Sequence, residues 1–163
     1  MRGRANPVVV LLVLVLAACG GHAEGGEARA WLTRVEAAHH AATTLLLSGD
    51  ADAAQRALVA AVDLTPPGRV SARDARVLRQ DLLYRLTELD LLRNRPHEAE
   101  IWADRGLALG EASDIFTANL LIARGRARQV QDHATAASRD YHAALIVSEA
   151  LLEASLGGSR DSR

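Results

Sequence analysis

Ser48-Gly49-Asp50-Ala51-Asp52-Ala53-Ala54 interrupts a chain that has helical period on both sides of it. Upstream, Trp31, Val35, Ala38, Ala42 and Leu45 advance by four, three, four and three residues, which places them on one face of an α-helix. Gly49 stops that helix, because glycine adopts the backbone angles a helix end requires. Downstream, Ala54, Ala57, Leu58, Ala61 and Leu64 form the apolar face of a second helix, from about Ala51 to Leu64. Thr65-Pro66-Pro67-Gly68 then breaks the chain. Two amphipathic helices joined by so short a turn pack antiparallel as a hairpin.

The same arrangement returns twice. Asn94 is followed by Ala99, Gly106 and Leu109, and Asp132 by Ala137, Tyr141 and Ala144. In all three cases five residues separate the turn residue from a first small side chain, and seven more lead to a second. Ala42, Thr87 and Gly125 each stand seven residues before the turn. The rest of the chain fits this frame. Ser71 is placed to cap a third helix, with Asp74 completing a capping-box-like start, and Leu78, Leu82, Leu86 and Leu89 line its face. Arg93-Asn94-Arg95 ends it, and Pro96 opens a fourth helix that runs to about Leu109 and stops at Gly110. Ser113 is expected to cap a fifth helix bearing Phe116, Leu120, Ala123, Ala127 and Val130. The sixth carries Ala137, Tyr141, Ala144, Leu145, Ser148 and Leu151, and its apolar content continues through Ile146, Val147, Leu152 and Leu156. A frayed, disordered tail is expected over 157–163.

Gly49-Asp50-Ala51-Asp52-Ala53-Ala54 followed by Ala61, Leu64 and Pro66 resembles the second helix of a tetratricopeptide repeat (TPR). The resemblance covers about residues 35–149 and implies an all-α domain over 27–156: three antiparallel helical hairpins stacked as a short TPR-like α-solenoid, with the last helix extended as a cap. The turns at 49, 94 and 132 are 45 and 38 residues apart, more than the 34 of that family, and the excesses are close to three turns and one turn of helix. Most first-helix aromatic positions of the family are missing, and only the first unit has the closing proline. The spacing also fits a plain α-helical bundle with alanine-rich seams. In tetratricopeptide arrays the first helix of each hairpin lines a concave face. Carried over by the turn alignment, that face holds Glu36, His39 and Thr43, then Asp81, Tyr84 and Glu88, then Asn119, Ile122 and Arg126. Mixed polar and apolar side chains on such a wall suit an extended peptide or a partner helix. Taken singly, the same residues are also what any exposed helix face presents.

The N-terminus has a different character. Arg2 and Arg4 precede Pro7 and an unbroken apolar run from Val8 to Ala18, 11 residues long. A membrane-spanning helix needs roughly 18 to 20, so this run suits the hydrophobic region of a secretory signal peptide over 1–18. It ends in Leu16-Ala17-Ala18-Cys19, which resembles the lipobox of bacterial lipoproteins. The resemblance implies cleavage between Ala18 and Cys19 and covalent lipid on the Cys19 thiol, two or three acyl chains in all. More than one chain anchors stably, whereas a single chain holds only marginally. An ordinary signal peptide with an incidental cysteine is the competing reading. Cys19 is the chain's one cysteine, so no intramolecular disulfide can form. Residues 19–26 then read as the lipidated cysteine and a tether, since Gly20 to Gly26 contains four glycines and spans roughly 25 Å when extended. Gly20, rather than aspartate, after the cysteine favours the outer membrane, facing the periplasm, by analogy with enterobacterial sorting.

Removing 1–18 leaves 145 residues from Cys19 to Arg163, enough for one modest domain. Lysine is absent, and the mature chain has 17 arginines against 20 acidic residues, with no basic concentration of the kind nucleic-acid binding needs. His22, His39, His40, His97, His133 and His142 do not form a ligand-spaced set, although Glu36 and His40 are four apart. There is no HExxH, GxSxG or phosphate-binding loop. These features lead to the expectation of a non-enzymatic protein without cofactor other than the lipid on Cys19. It would act as a membrane-anchored scaffold that holds another protein or peptide in an envelope assembly such as secretion, pilus or cell-wall machinery. The alternative is a periplasmic lipoprotein that binds a small ligand or lipid between its hairpins.

Overall fold

The computed structural model describes residues 25–157. The expected signal peptide, with Ala18, Cys19 and His22, and most of the expected tether lie outside those residues, as does the expected tail from 158 on. Within them the chain is all-α, with six helices and no strand: α1 Gly26–Leu47, α2 Ala51–Val62, α3 Ala72–Leu92, α4 Pro96–Ala108, α5 Ile115–Val130 and α6 Ala134–Gly157. Each helix packs on the next in sequence, and α3 also packs on α5.

The three short turns explain this layout. Gly49, Asn94 and Asp132 take φ of +85°, +56° and +60°. The next amide reaches back five residues each time: Asp50 N–H to Leu45 C=O at 2.8 Å, Arg95 to Asp90 at 2.8 Å, and His133 to Arg128 at 2.9 Å. The turn residue's own amide bonds three residues back, to Leu46, Leu91 and Gln129. This paired bonding is the Schellman motif, which satisfies the last carbonyls of a helix and reverses the chain. Glycine enters the left-handed region freely, and asparagine and aspartate are the side chains that tolerate it best.

The small residues counted from those turns are all buried. Ala54, Ala61, Ala99, Gly106, Ala137 and Ala144 are closed from solvent after the turns, and Ala42, Thr87 and Gly125 before them. Two are needed for close approach. A Cβ on Gly106 would lie 2.7 Å from Leu120 Cδ1, and one on Gly125 would lie 2.7 Å from the Tyr141 ring. Larger side chains fill the space around these seams. Trp31, Val35, Leu58, Leu82, Leu83 and Leu86 build one apolar cluster from α1, α2 and α3. Ala103, Leu107, Leu120, Leu121 and Ala144 build another from α4, α5 and α6.

Several local expectations are corrected. The cap of α5 is Asp114, which accepts from Thr117 N–H at 2.9 Å, and not Ser113. Both residue types cap well, but Asp114 is also held by Arg76 at 2.7 Å, which orients its carboxylate. Ser71 does cap α3, accepting from Asp74 N–H at 3.0 Å, while its hydroxyl donates to the Asp74 carboxylate. The second helix stops at Val62, two residues short of Leu64. Val130 and Leu145, read as face residues, are more than half exposed. Leu145 lies about 100° around the helix from buried Ala144. Val130 stands two residues before its turn, where Leu47 and Leu92 are exposed as well.

Candidate interaction surface

The residues assigned to a concave wall come from α1, α3 and α5, and two side-chain contacts join them across helices. His39 Nε2 lies 3.4 Å from Asp81 Oδ2, linking α1 to α3. Arg126 donates to Glu88 Oε1 at 2.6 Å, linking α5 to α3. Positions from neighbouring units therefore meet on one surface. Tyr84 is half-buried and packs against the cluster of α4, α5 and α6. Its phenol is pushed above the ordinary value by burial and then by the Glu88 charge.

Other members stay apart. Thr43 turns back on its own helix and donates to His39 C=O at 2.9 Å. Glu36 is exposed, Asn119 is half-buried and Ile122 is 41% exposed. Among the described residues no hydrogen bond or ion pair joins these three to the rest of the wall. Sequence reasoning missed Arg85, whose Nε donates to Asp81 Oδ2 at 3.2 Å. Its signal was the four-residue spacing from Asp81 on one helix face. The surface thus presents one open carboxylate at Glu36, a compact His39–Asp81–Arg85 group, the half-exposed Ile122, and the Glu88–Arg126 pair. It offers charge of both signs, hydrogen-bonding groups and one aliphatic contact.

Burial holds the His39 imidazole down, and the Arg85 cation adds to this against the opposing pull of Asp81, bringing its pKa to about 4. An unfolded histidine titrates near 6.5. Between those values the unfolded chain takes up a proton that the folded chain refuses. Stability is therefore full above about pH 6.5 and falls as the pH drops towards 4, by roughly 1 to 3 kcal/mol from this group. Urea unfolding at pH 7 and at pH 4.5 is expected to show a smaller loss for His39→Gln than for the unaltered chain. Equal losses would remove His39 from the account.

Metal chemistry finds no ready site: among the described residues no three His, Cys, Asp or Glu side chains gather closely enough to hold an ion. No described helix is long and apolar enough to cross a membrane. The polar groups most thoroughly buried lie between helices instead. Gln80 donates to Gly106 C=O at 3.1 Å and Gly110 C=O at 3.0 Å and accepts from Arg76 at 2.7 Å. Asp90 accepts from Trp102 Nε1 at 2.9 Å and from Gln55 Nε2 at 3.3 Å. Asp140 accepts from Arg124 and Arg128. These are joints between helices; Gln80 and Asp140 are satisfied by protein groups, whereas Asp90 Oδ1 is buried without a hydrogen bond and has only Arg95 near it, at 4.0 Å. No protein-family model, curated protein or solved structure matches this chain.

Proposed function

We propose that this protein is a lipid-anchored, non-catalytic scaffold of the bacterial envelope. Its three hairpins stack as a short TPR-like α-solenoid, and the wall from α1, α3 and α5 holds a peptide or helix of another envelope protein. The observation that carries the solenoid reading is the threefold turn at Gly49, Asn94 and Asp132, with buried small residues at matching distances on both sides. A plain bundle has no reason to repeat a left-handed residue and its seams in register. Repeat arrays do, because each unit must present the same faces to its neighbours. The anchor rests on Leu16-Ala17-Ala18-Cys19 behind a charged start and an 11-residue apolar run. Gly20 favours the outer membrane and a domain facing the periplasm. The close approach of Gly106 on α4 to Leu120 on α5 weighs against a ligand pocket opening between the second and third hairpins.

The wall's internal pairs dictate which variant tests this. Altering Asp81 or Glu88 would break contacts to His39, Arg85 or Arg126 and confuse binding with folding. Glu36 and Ile122 are exposed and outside those pairs. A chain with Glu36→Arg and Ile122→Asp should keep its unfolding midpoint. In quantitative co-purification from envelopes it should lose a specific protein about tenfold or more, as expected when a charge and an apolar contact of an interface are both reversed. If nothing co-purifies better with the unaltered chain than with this variant, the scaffold reading fails.

A further inference from the structure

We infer that the outer face of α6 is a self-association surface that receives α6 of a second copy in antiparallel orientation. The last helix of a helical array ordinarily turns a polar face to water. Here Leu145, Ile146, Leu152 and Leu156 are each more than half exposed. At 100° per residue Ile146 lies about 160° around the helix from buried Ala144, and Leu145, Leu152 and Leu156 lie about 80° to 120° from it, on one flank.

The charges choose the occupant and its direction. Arg139 and His142 occupy the N-terminal half of this exposed face, and Glu149 and Glu153 the C-terminal half. None of the four makes an ion pair within the described residues. A second α6 laid antiparallel, with a two-fold axis beside Ile146, sets Arg139 opposite Glu153 and His142 opposite Glu149, twice over. Ile146 then meets its own counterpart, with Leu145 beside it and Leu152 near the partner's Tyr141 ring. A parallel copy would stack acid on acid. Such an isologous contact closes on itself at two copies. An unrelated partner helix would have to supply by chance the charge order that α6 already supplies to itself.

The expected strength is modest. The exposed run from Ser138 to Leu156 is about 28 Å long at 1.5 Å per residue. One helix width over that length gives on the order of 300 to 400 Å² per copy, below the roughly 800 Å² per partner of a standard stable interface. Tethering in one membrane, a point that rests on the proposed lipid anchor, raises the local concentration enough to populate a contact of this size.

Two measurements on the full chain test this. With Ile146→Cys, mild oxidation of intact envelopes should yield a disulfide-linked dimer. Leu47→Cys, exposed at a helix end elsewhere, and the parent chain should yield none. Sedimentation of the purified full chain over a concentration series should show reversible dimers whether or not the anchor reading is right. Arg139→Glu should weaken them about tenfold, and adding Glu153→Arg should restore them to within about threefold. Dimers from Leu47→Cys but not from Ile146→Cys would overturn the inference. So would a monomer at every concentration, a double swap that fails to restore, or an Ile146→Cys adduct with a different protein.

Discussion

Replacing Asp140 by alanine is expected to cost about 3 to 5 kcal/mol of folding stability, the range found when one member of a buried ion-pair group is removed. The Asp140 side chain is only 4% exposed. It accepts from Arg124 Nε at 3.1 Å and from a second Arg124 nitrogen at 2.7 Å, and from Arg128 at 2.9 Å. Arg124 also holds Asp104 at 2.7 Å, and Arg128 also holds Glu100 at 2.7 Å. Alanine would leave two largely buried guanidinium groups facing each other across an empty site between α5 and α6. Domains of this size are stable by about 5 to 15 kcal/mol in total, so the loss would be a large fraction of the whole. Glu88→Ala removes an ion pair too, but its partner Arg126 is 48% exposed, and such pairs contribute about 1 kcal/mol or less. Urea unfolding of the two variants side by side decides the matter. Similar small losses would mean that the Asp140 group does not join α5 to α6.

The contrast between those two carboxylates shows which parts of the fold are legible in sequence. Helices declare themselves through the 3.6-residue recurrence of apolar positions, and the turns through residues that tolerate a left-handed backbone. Gly49, Asn94 and Asp132 are of that kind, and counting from them located nine buried small positions. Buried polar residues carry no such mark. Asp140 looks like any surface carboxylate until Arg124, 16 residues away in sequence, is seen to meet it. Gln80 and Asp90 are equally unmarked in sequence, since Gly106, Gly110 and Trp102, which they meet, lie beyond their own helix. The Ser113 and Asp114 pair shows a smaller ambiguity: two good capping residues stand side by side, and Arg76 on α3 selects the second.

The candidate wall was legible only as a set of register positions. The turn alignment put equivalent residues of α1, α3 and α5 in line. That His39 would meet Asp81, and Glu88 would meet Arg126, depends on helix spacing that no local pattern carries. The same limit hid the outer face of α6. Its leucines continue the apolar pattern of the helix, but only the packed structure separates those turned inward from those left in water.

Cys19 carries the other large expected effect. Serine at this position keeps the size and polarity of the side chain but removes the thiol sulfur on which a thioether to lipid would be built. The domain itself should fold unchanged, because Cys19 precedes every described helix. Loss of the anchor should therefore be separable from loss of structure. With two or more acyl chains the partition to membrane is strong, and without them nothing in the described helices is apolar enough to replace it. The most direct measurement is metabolic labelling with a fatty-acid analogue, followed by membrane fractionation and mass analysis of the mature N-terminus, for the unaltered chain and Cys19→Ser. The account predicts an acylated N-terminus beginning at Cys19 in the membrane fraction, with label and membrane retention both abolished in the variant. An unlabelled mature chain with a free Cys19 thiol, or equal labelling of the two, would contradict it.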